Sequence, residues 1–209
     1  MGVTLNRGSS NASRLVLASS SPRRRELVAA LDLSLPVLIL SSDTDESTPP
    51  DWQPAQIVEQ LGLRKAKASS ELLKDEQAAD SLVIGADTIV VLDGIVLGKP
   101  KDKGDAIRML TDLQGREHEV FTGVACLDTS TGRELVRHRM TKVKMKPLDR
   151  ATIERYVDSG EPMDKAGSYG IQGLGATLVE RIDGCYFNVV GLPLSLLSDM
   201  LAEFNIHVI

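Results

Sequence analysis

The chain has 209 residues, 42 % hydrophobic and 25 % charged, a composition typical of a folded globular domain. The formal net charge of −5 argues against nucleic acid as a partner, so any anion site must be a local basic cluster. Cys126 and Cys185 lack the paired spacing of a disulfide framework or a zinc site. Because no stretch resembles a signal peptide or a membrane span, we expect a cytoplasmic protein with no membrane partner and a frayed start at residues 1–13.

Apolar runs alternate with helical patterns through the first half of the chain, which predicts an α/β fold. The elements predicted there are strands at 15–18, 36–40, 82–84, 89–91 and 95–97 and helices at 22–31, 54–73 and 105–113. Those predicted in the second half are strands at 120–127, 135–145, 177–182 and 187–190, a helix at 150–158 and a helix that begins at Pro193.

The segment Ala18–Leu27 combines a strand end, a serine turn and a helix start. Pro22 suits the first helical position, where an N–H would lack a partner, and the preceding serines can accept hydrogen bonds from the next free N–H groups. Arg23–Arg25 follow in the first turn, where the helix dipole disfavours each cation by about 0.3–1 kcal/mol. Guanidinium groups and helix N-termini both bind phosphate oxygens, so the segment predicts an anion site; the alternative is a solvated basic turn.

The predicted helix 54–73 has a lysine on its apolar side. At 100° per residue Lys65 lies about 40° from Leu61 of the apolar stripe, whereas Lys67 is rotated well away from it. Lys65 is therefore predicted to point inward and Lys67 outward. An inward lysine either extends its ammonium to solvent or meets an anion.

Further candidates for a site are acidic residues, a lysine and a glycine-rich loop. Asp87, between two apolar runs, is either buried and paired or exposed at a strand end inside a cleft, and the alternative is a turn aspartate that bonds local N–H groups. The run Asp43-Thr44-Asp45-Glu46 holds a divalent metal or is an acidic surface loop, and Lys99 reaches a phosphate or occupies a plain turn. The four glycines of 167–175 suit a loop that another group approaches closely. Together these features predict a nucleotide phosphate site.

Several short segments spread along the chain form a recognisable set. They are Ala18–Leu27, Asp45-Glu46, Lys65-Ala66, Gly85–Thr88, Gly98–Pro100, Gly123, Asp164–Gly167, Gln172-Gly173 and Gly191–Leu194. With these motifs the chain, from Arg14 to Ile209, resembles the Maf family of nucleoside triphosphate pyrophosphatases. The resemblance implies one domain over 14–209 with a two-lobed mixed sheet, flanking helices and a central cleft, similar to inosine-triphosphate pyrophosphatases, and commonly a homodimer.

The resemblance also implies cleavage of a nucleoside triphosphate between its α and β phosphates. Asp87 looks like the catalytic acidic residue and Glu46 like a further active-site carboxylate. The residues that look like substrate-phosphate ligands are Ser19, Arg23, Arg24, Lys65 and Lys99. Because a carboxylate is a weak base at neutral pH, we expect a divalent cation, Mg²⁺ or Mn²⁺, held by Glu46 and Asp87. One mild departure is Gly62, which stands where the family usually has alanine, at a cost of about 1 kcal/mol of helix stability.

Gln172 bears on the identity of the base. A glutamine amide offers a donor and an acceptor, so it can complement the O4 and N3–H edge that uracil and thymine share. The Maf branch that acts on 7-methyl-GTP resembles a pattern with glutamate at this position, so this chain resembles the pyrimidine branch. We therefore expect dTTP and UTP as preferred substrates, with little activity on ATP or GTP. The alternative is that Gln172 only bonds loop backbone.

Two other classes of function compete with this interpretation. The run Asp43-Thr44-Asp45 is similar to the aspartyl-nucleophile motif of haloacid dehalogenase phosphatases, but two serines separate it from the strand and Ser47 stands where threonine or valine is preferred. The other alternative is a non-catalytic nucleotide-binding regulator of cell division. Intact Asp87 and Lys65 argue against it, because a binding protein could dispense with the catalytic carboxylate.

Overall fold

The computed structural model describes residues 12–74 and 76–209, so all but two residues of the predicted frayed start lie outside the described part. The strands are β1 (Arg14–Ala18), β2 (Val37–Ile39), β3 (Ser81–Leu92), β4 (Ile95–Leu97), β5 (Glu117–Asp128), β6 (Glu134–Met145) and β7 (Val179–Asp183). The helices are α1 (Pro22–Ala29), α2 (Pro54–Ser70), α3 (Glu76–Ala79), α4 (Lys103–Leu113), α5 (Arg150–Asp158), α6 (Tyr186–Val190) and α7 (Leu194–Ala202). Short 3₁₀ helices occupy Glu161–Asp164, Ala166–Ser168 and Gly173–Leu178.

Within the described residues the strands form a seven-stranded mixed sheet. Its order is β2-β1-β3-β5-β6-β7, with β4 paired to the far end of β3. Strand β1 is parallel to β2 and β3, and the remaining pairs are antiparallel. Helices flank this sheet, which confirms the predicted fold class. No helix in the described part combines the length and apolar character needed to cross a bilayer.

Strand β3 has one edge that is only partly paired, and the gap locates a cleft. The pairing of β1 with β3 ends at Ala18 opposite Gly85, and the pairing of β4 with β3 resumes only at Val90. Since β5 occupies the other edge of β3, β1 and β4 must share this one. Residues 86–89 therefore face an opening where β1 has ended and β4 has not begun.

The two faces of β3 pack against different layers. On one face Leu82 and Ile84 belong to a core with α1 and α7, while Val90 and Leu92 belong to a second core with α4 and α5. These two cores correspond to the two predicted lobes. On the opposite face α2 covers the sheet, packing near Val83. The alternation follows from the period of two along a strand.

Helix α2 crosses β3 and β5 at backbone contact. A Cβ added to Gly85 would lie 2.1 Å from the carbonyl oxygen of Gly62, and one added to Gly123 would lie 2.2 Å from the carbonyl oxygen of Val58. Real side chains cannot occupy these positions, so glycine on both strands is a condition for this approach. The approach brings the next turn of α2 against the stretch of β3 that follows Gly85.

Two local predictions were wrong. The apolar runs 82–84 and 89–91 belong to one continuous strand, so Asp87 is a strand residue and not a turn aspartate. The predicted strand 187–190 lies within helix α6, in which Asn188 is buried and its amide donates to the carbonyl oxygen of Val120. A five-residue apolar segment is too short for periodicity to separate strand from helix.

The close packing of α2 makes opposite predictions for two glycines. Gly62→Ala should raise the free energy of unfolding by about 0.5–1 kcal/mol, because alanine removes the helix penalty of glycine. Its Cβ would meet its nearest neighbour, the carbonyl oxygen of Gly123, at 3.4 Å, an ordinary contact. Urea denaturation of the purified variant measures the change.

The matched control is Gly85→Ala, which also adds one methyl group, but on the strand side of the contact between α2 and the sheet. Its Cβ would collide with the Gly62 carbonyl, so it should lower stability by several kcal/mol or prevent folding. A Gly62→Ala variant as damaging as Gly85→Ala would contradict the described packing of α2.

Candidate active site

A cleft of about 1120 Å³ opens at the partly paired edge of β3. Its walls come from the end of β1, the start of α1, the loop 41–48, α2, the turn after β4 and the segment 164–172. All of the site residues predicted from the sequence line it: Ser19, Arg23, Arg24, Glu46, Lys65, Asp87, Lys99 and Gln172. The fold thus gathers into one cavity residues that are distributed along most of the chain.

The centre of the cleft is a lysine held between two carboxylates. Lys65 Nζ lies 2.5 Å from Asp87 Oδ1 and 2.7 Å from Glu46 Oε1. The hydrogen bond from Lys65 is the main reason that the pKa of Glu46 is below its usual range, and the charges of Lys99 and Arg24 act in the same direction. As the helical spacing predicts, Lys67 instead pairs with a residue of β6, and 49 % of its side chain is exposed against 18 % for Lys65.

Arg24 fills the gap in the edge of β3. Its Nη1 donates to the carbonyl oxygen of Ala86 at 2.8 Å, its Nη2 to Thr88 Oγ1 at 2.9 Å, and its Nε to the carbonyl oxygen of Gly191 at 2.7 Å. Burial lowers the pKa of Arg24, while the nearby charge of Asp87 opposes that shift. These three acceptors offset part of the unfavourable interaction between the Arg24 charge and the dipole of α1, so a bound anion is not the only compensating group. One N–H on each terminal nitrogen is left for a ligand.

A directed chain of hydroxyl groups extends from Arg24 into the core. Thr88 Oγ1 lies 2.9 Å from Thr122 Oγ1, and Thr122 donates to the carbonyl oxygen of Asn188 at 2.9 Å. A carbonyl oxygen can only accept, so the hydroxyl hydrogen of Thr122 is used in that bond. Thr88 must therefore donate its own hydroxyl hydrogen to Thr122. The Thr88 oxygen is then oriented to accept from Arg24, which fixes the plane of the guanidinium group.

The start of α1 differs from the prediction in its capping. Ser21 is the N-cap residue, but its side chain makes no capping hydrogen bond, and Ser19 Oγ accepts from the N–H of Ser21 at 3.2 Å. The serines therefore do not cap the helix as expected. Arg23 Nη1 lies 3.5 Å from Asp164 Oδ2 and links α1 to the segment 164–172.

The acidic loop contributes one carboxylate to the centre rather than three. Asp45 is occupied by the backbone N–H and hydroxyl of Ser47, at 2.8 and 2.7 Å. Arg64 on α2 donates to the carbonyl oxygen of Ser47 at 2.7 Å and holds the loop in place. Only Glu46 reaches Lys65, and the described part of the chain contains no group of three or more potential metal ligands. Asp45, the second aspartate of the motif on which the haloacid dehalogenase alternative depends, is thus already bonded to Ser47.

Gln172 presents its amide at another wall of the cleft. Its side chain is half-buried and has no hydrogen-bond partner among the residues that the structure describes. The geometry therefore gives no support to the alternative in which Gln172 only bonds loop backbone. A donor and an acceptor stand free in the same cavity as the cationic and acidic groups.

Comparison with known proteins agrees with this arrangement. A profile of the Maf family, described as Maf-like protein, matches residues 14–204. The chain belongs to the Maf family. It is 52 % identical over 196 residues to the dTTP/UTP pyrophosphatase of Moorella thermoacetica, and this alignment covers 94 % of this chain and 97 % of that protein. The proteins of the same name from Acetivibrio thermocellus and Desulforamulus reducens are 50 % and 49 % identical, over 94 % and 93 % of this chain and 98 % of each relative.

The Maf cleft also contains a residue that the sequence interpretation left without a role. Tyr169 lines the cleft, and its hydroxyl lies 2.7 Å from Nε2 of His118, whose ring is buried and packs edge to face at 5.3 Å. Burial lowers the pKa of His118 to about 4. The period of two along β5, which places His118 on the same face as buried Val120, is the sequence signal for its burial.

His118 should make stability fall as the pH falls from 6.5 towards 4. In this window the unfolded chain binds a proton at His118 and the folded chain does not, so protonation favours unfolding, by at most about 3 kcal/mol. At pH 7 the loss is absent. Urea unfolding between pH 7 and 4.5 should show a steeper decline for the wild type than for His118→Gln, which cannot gain this proton.

His207→Gln is the control. Because His207 is exposed, this variant should keep the wild-type dependence of stability on pH. Parallel declines for the wild type and His118→Gln would show that His118 is not held neutral in the folded state.

Proposed function

We propose that this chain hydrolyses nucleoside triphosphates between the α and β phosphates, with dTTP and UTP preferred, and releases a nucleoside monophosphate and pyrophosphate. The observation that carries the proposal is the single cleft in which Lys65, Asp87 and Glu46 meet close to Arg24 and to the free amide of Gln172. The names of the relatives, aligned over nearly their whole length, support the same activity.

The triphosphate is bound by the basic side of the cleft. Arg24 retains two N–H groups, Lys99 extends from the turn after β4, and Ser19 lies beside the start of α1. The N-terminal N–H groups of α1 carry no serine cap and add a favourable dipole for anions. A protein of net charge −5 can thus bind a polyanion, because Arg23, Arg24, Lys65 and Lys99 line the same cleft.

The attacking water is assigned to Asp87. Its carboxylate stands on β3, a central strand, and its position is fixed by the hydrogen bond from Lys65. In the complex we expect Asp87 to orient the water for in-line attack on the α-phosphorus and to accept its proton. Lys65 then has a phosphate oxygen as an alternative partner for its ammonium group.

A divalent cation, Mg²⁺ or Mn²⁺, fits the acidic side. Glu46 and Asp87 both direct an oxygen at one cationic group, the ammonium of Lys65, so their carboxylates already converge on a positive charge. Mg²⁺ is commonly held by one or two carboxylates together with substrate phosphates, and this pair matches that donor set. When bound, the cation would supply charge neutralisation at the phosphates and acidify a bound water.

The remaining expectations accompany this proposal as predictions. They are a single domain over 14–209, a homodimer and a cytoplasmic location. A homodimer would elute from size-exclusion chromatography with light scattering at twice the mass of one chain.

A nucleotide panel tests the substrate class and the role of Gln172. With Mg²⁺ or Mn²⁺, the release of pyrophosphate should be most efficient from dTTP and UTP, with kcat/KM at least about tenfold above that for ATP and GTP. Gln172→Glu loses the donor for O4 but keeps an acceptor, so it should reduce that preference about tenfold. A wild-type preference for 7-methyl-GTP, or an unchanged substrate profile in the variant, would contradict the assignment of Gln172 as the residue that contacts the base.

The catalytic centre is tested by a matched pair of lysines and by Asp87. Asp87→Asn and Lys65→Ala should each lower kcat/KM for UTP at least about a hundredfold, because each removes one member of the central pair. Lys67→Ala, two residues further along the same helix, should stay within about twofold of the wild type. Near-normal turnover by Asp87→Asn in saturating Mg²⁺, or equal losses at the two lysines, would refute the assignment.

A further inference from the structure

Gln172 lies in a short segment whose backbone, both before and after Gln172, is connected by hydrogen bonds to one side chain, that of Glu161. Glu161 is called the anchor of this segment. The Glu161 carboxylate accepts from the N–H of Leu174 at 2.9 Å through Oε2 and from the N–H of Gly175 at 2.8 Å through Oε1. These contacts hold the chain directly after Gln172. Glu161 does not itself line the cleft, so any effect it has on a ligand must act through the segment 170–175.

Tyr156 extends the same anchor to the chain before Gln172. Its hydroxyl donates to Glu161 Oε1 at 2.9 Å and accepts from the N–H of Gly170 at 3.2 Å. One carboxylate is therefore connected, directly or through a single hydroxyl, to the backbone on both sides of Gln172. The two anchored points lie two residues before and two to three residues after it.

The glycines of this segment are explained by the anchor. A Cβ on Gly173, which has a φ of +63°, would lie 2.7 Å from Glu161 Oε2. A Cβ on Gly175 would lie 2.1 Å from the carbonyl oxygen of Gly170 and 2.6 Å from the Tyr156 hydroxyl. The close approach that the glycines predict is thus made by groups of the protein itself at these two positions.

The charge of Glu161 suits its role as an acceptor. Burial alone would raise the pKa of Glu161, but hydrogen bonds from Gly175, Leu174 and Tyr156 and the charge of Lys165 outweigh that effect and lower it. Lys165 also donates to the backbone carbonyl oxygen of Glu161. The anchor therefore remains an acceptor at neutral pH.

We propose that Glu161 is a positioning residue for base selection, which holds the segment 170–175 so that the Gln172 amide faces the nucleobase. This inference rests on the proposed function, because it presupposes that Gln172 reads the base. It adds a distinct requirement: selectivity should depend on a carboxylate that never touches the nucleotide.

The test measures the ratio of kcat/KM for UTP to that for GTP in single and double variants. Glu161→Gln replaces one acceptor oxygen by an NH₂ group, which cannot accept a hydrogen bond. One of the bonds from the N–H groups of Leu174 and Gly175 is then lost, so the ratio should fall about five- to tenfold. Tyr156→Phe removes the hydroxyl that connects Glu161 to Gly170 but leaves the bonds of Glu161 to Leu174 and Gly175, so it should lower the ratio less. Gln172→Ala should lower it as far as or further than Glu161→Gln.

The double variant Glu161→Gln/Gln172→Ala separates positioning from general damage. If Glu161 acts through Gln172, the ratio of the double variant should equal that of Gln172→Ala, since the second change has nothing left to position. Glu154→Gln, which alters an exposed ion pair on α5, should keep the wild-type ratio. Urea midpoints of all variants measure any loss of folding.

Each failure has its own signature. A Glu161→Gln variant that slows UTP and GTP equally, while Gln172→Ala changes the ratio, would overturn this inference and leave the proposed function intact. An unchanged ratio in Gln172→Ala would overturn this inference together with the assignment of Gln172 to the base, whereas pyrophosphate release from UTP by the wild type would still support the proposed hydrolysis. If variants are too slow to assay, the ratio of affinities for the α,β-methylene analogues of UTP and GTP measures the base preference in binding and should change in the same direction. Tyr156→Phe decides the matter should Glu161→Gln not fold.

Discussion

The contact on which the rest of the structure depends is the backbone packing of α2 against β3 and β5. Gly85 and Gly123 allow helix carbonyl groups to lie where side chains would normally stand. Lys65 is thereby placed one turn beyond the contact, and Asp87 two residues beyond Gly85 on the same face of the strand. A larger separation of helix and sheet would leave the ammonium and the carboxylate apart, so the chemistry of the centre depends on two missing Cβ atoms.

The open edge of β3 is the second requirement, and it poses a problem that Arg24 solves. Unpaired strand edges attract other strands, and buried backbone groups without partners are costly. The guanidinium of Arg24 satisfies the carbonyl oxygen of Ala86 while keeping two donors for a ligand. The Thr88 and Thr122 hydroxyls fix its orientation from the core side. The same side chain closes the edge and equips the cleft.

Local sequence patterns predicted the parts of this site that local periodicity determines. Helical spacing placed Lys65 inward and Lys67 outward, and the serine–proline start of α1 was found at Pro22. The strand position of Asp87 was missed, because Gly-Ala-Asp-Thr has turn composition unless a helix packs directly on the glycine. The acceptors of Arg24 were equally inaccessible, since they depend on where β1 stops relative to β4, a property of long-range pairing.

The cleft divides into two walls that are held rigid in different ways. The wall that bears Asp87 and Lys65 is part of the central sheet and of α2, where strand pairing and close packing fix both residues. The wall that bears Gln172 is an irregular chain with short 3₁₀ turns, and single side chains such as Glu161 replace a regular hydrogen-bond ladder there. A residue exchanged in that irregular wall can alter the base contact without moving the strands that hold the reacting groups. Under the proposed function, this division would allow one catalytic frame to serve different bases, because selectivity would depend on the segment that the sheet does not constrain.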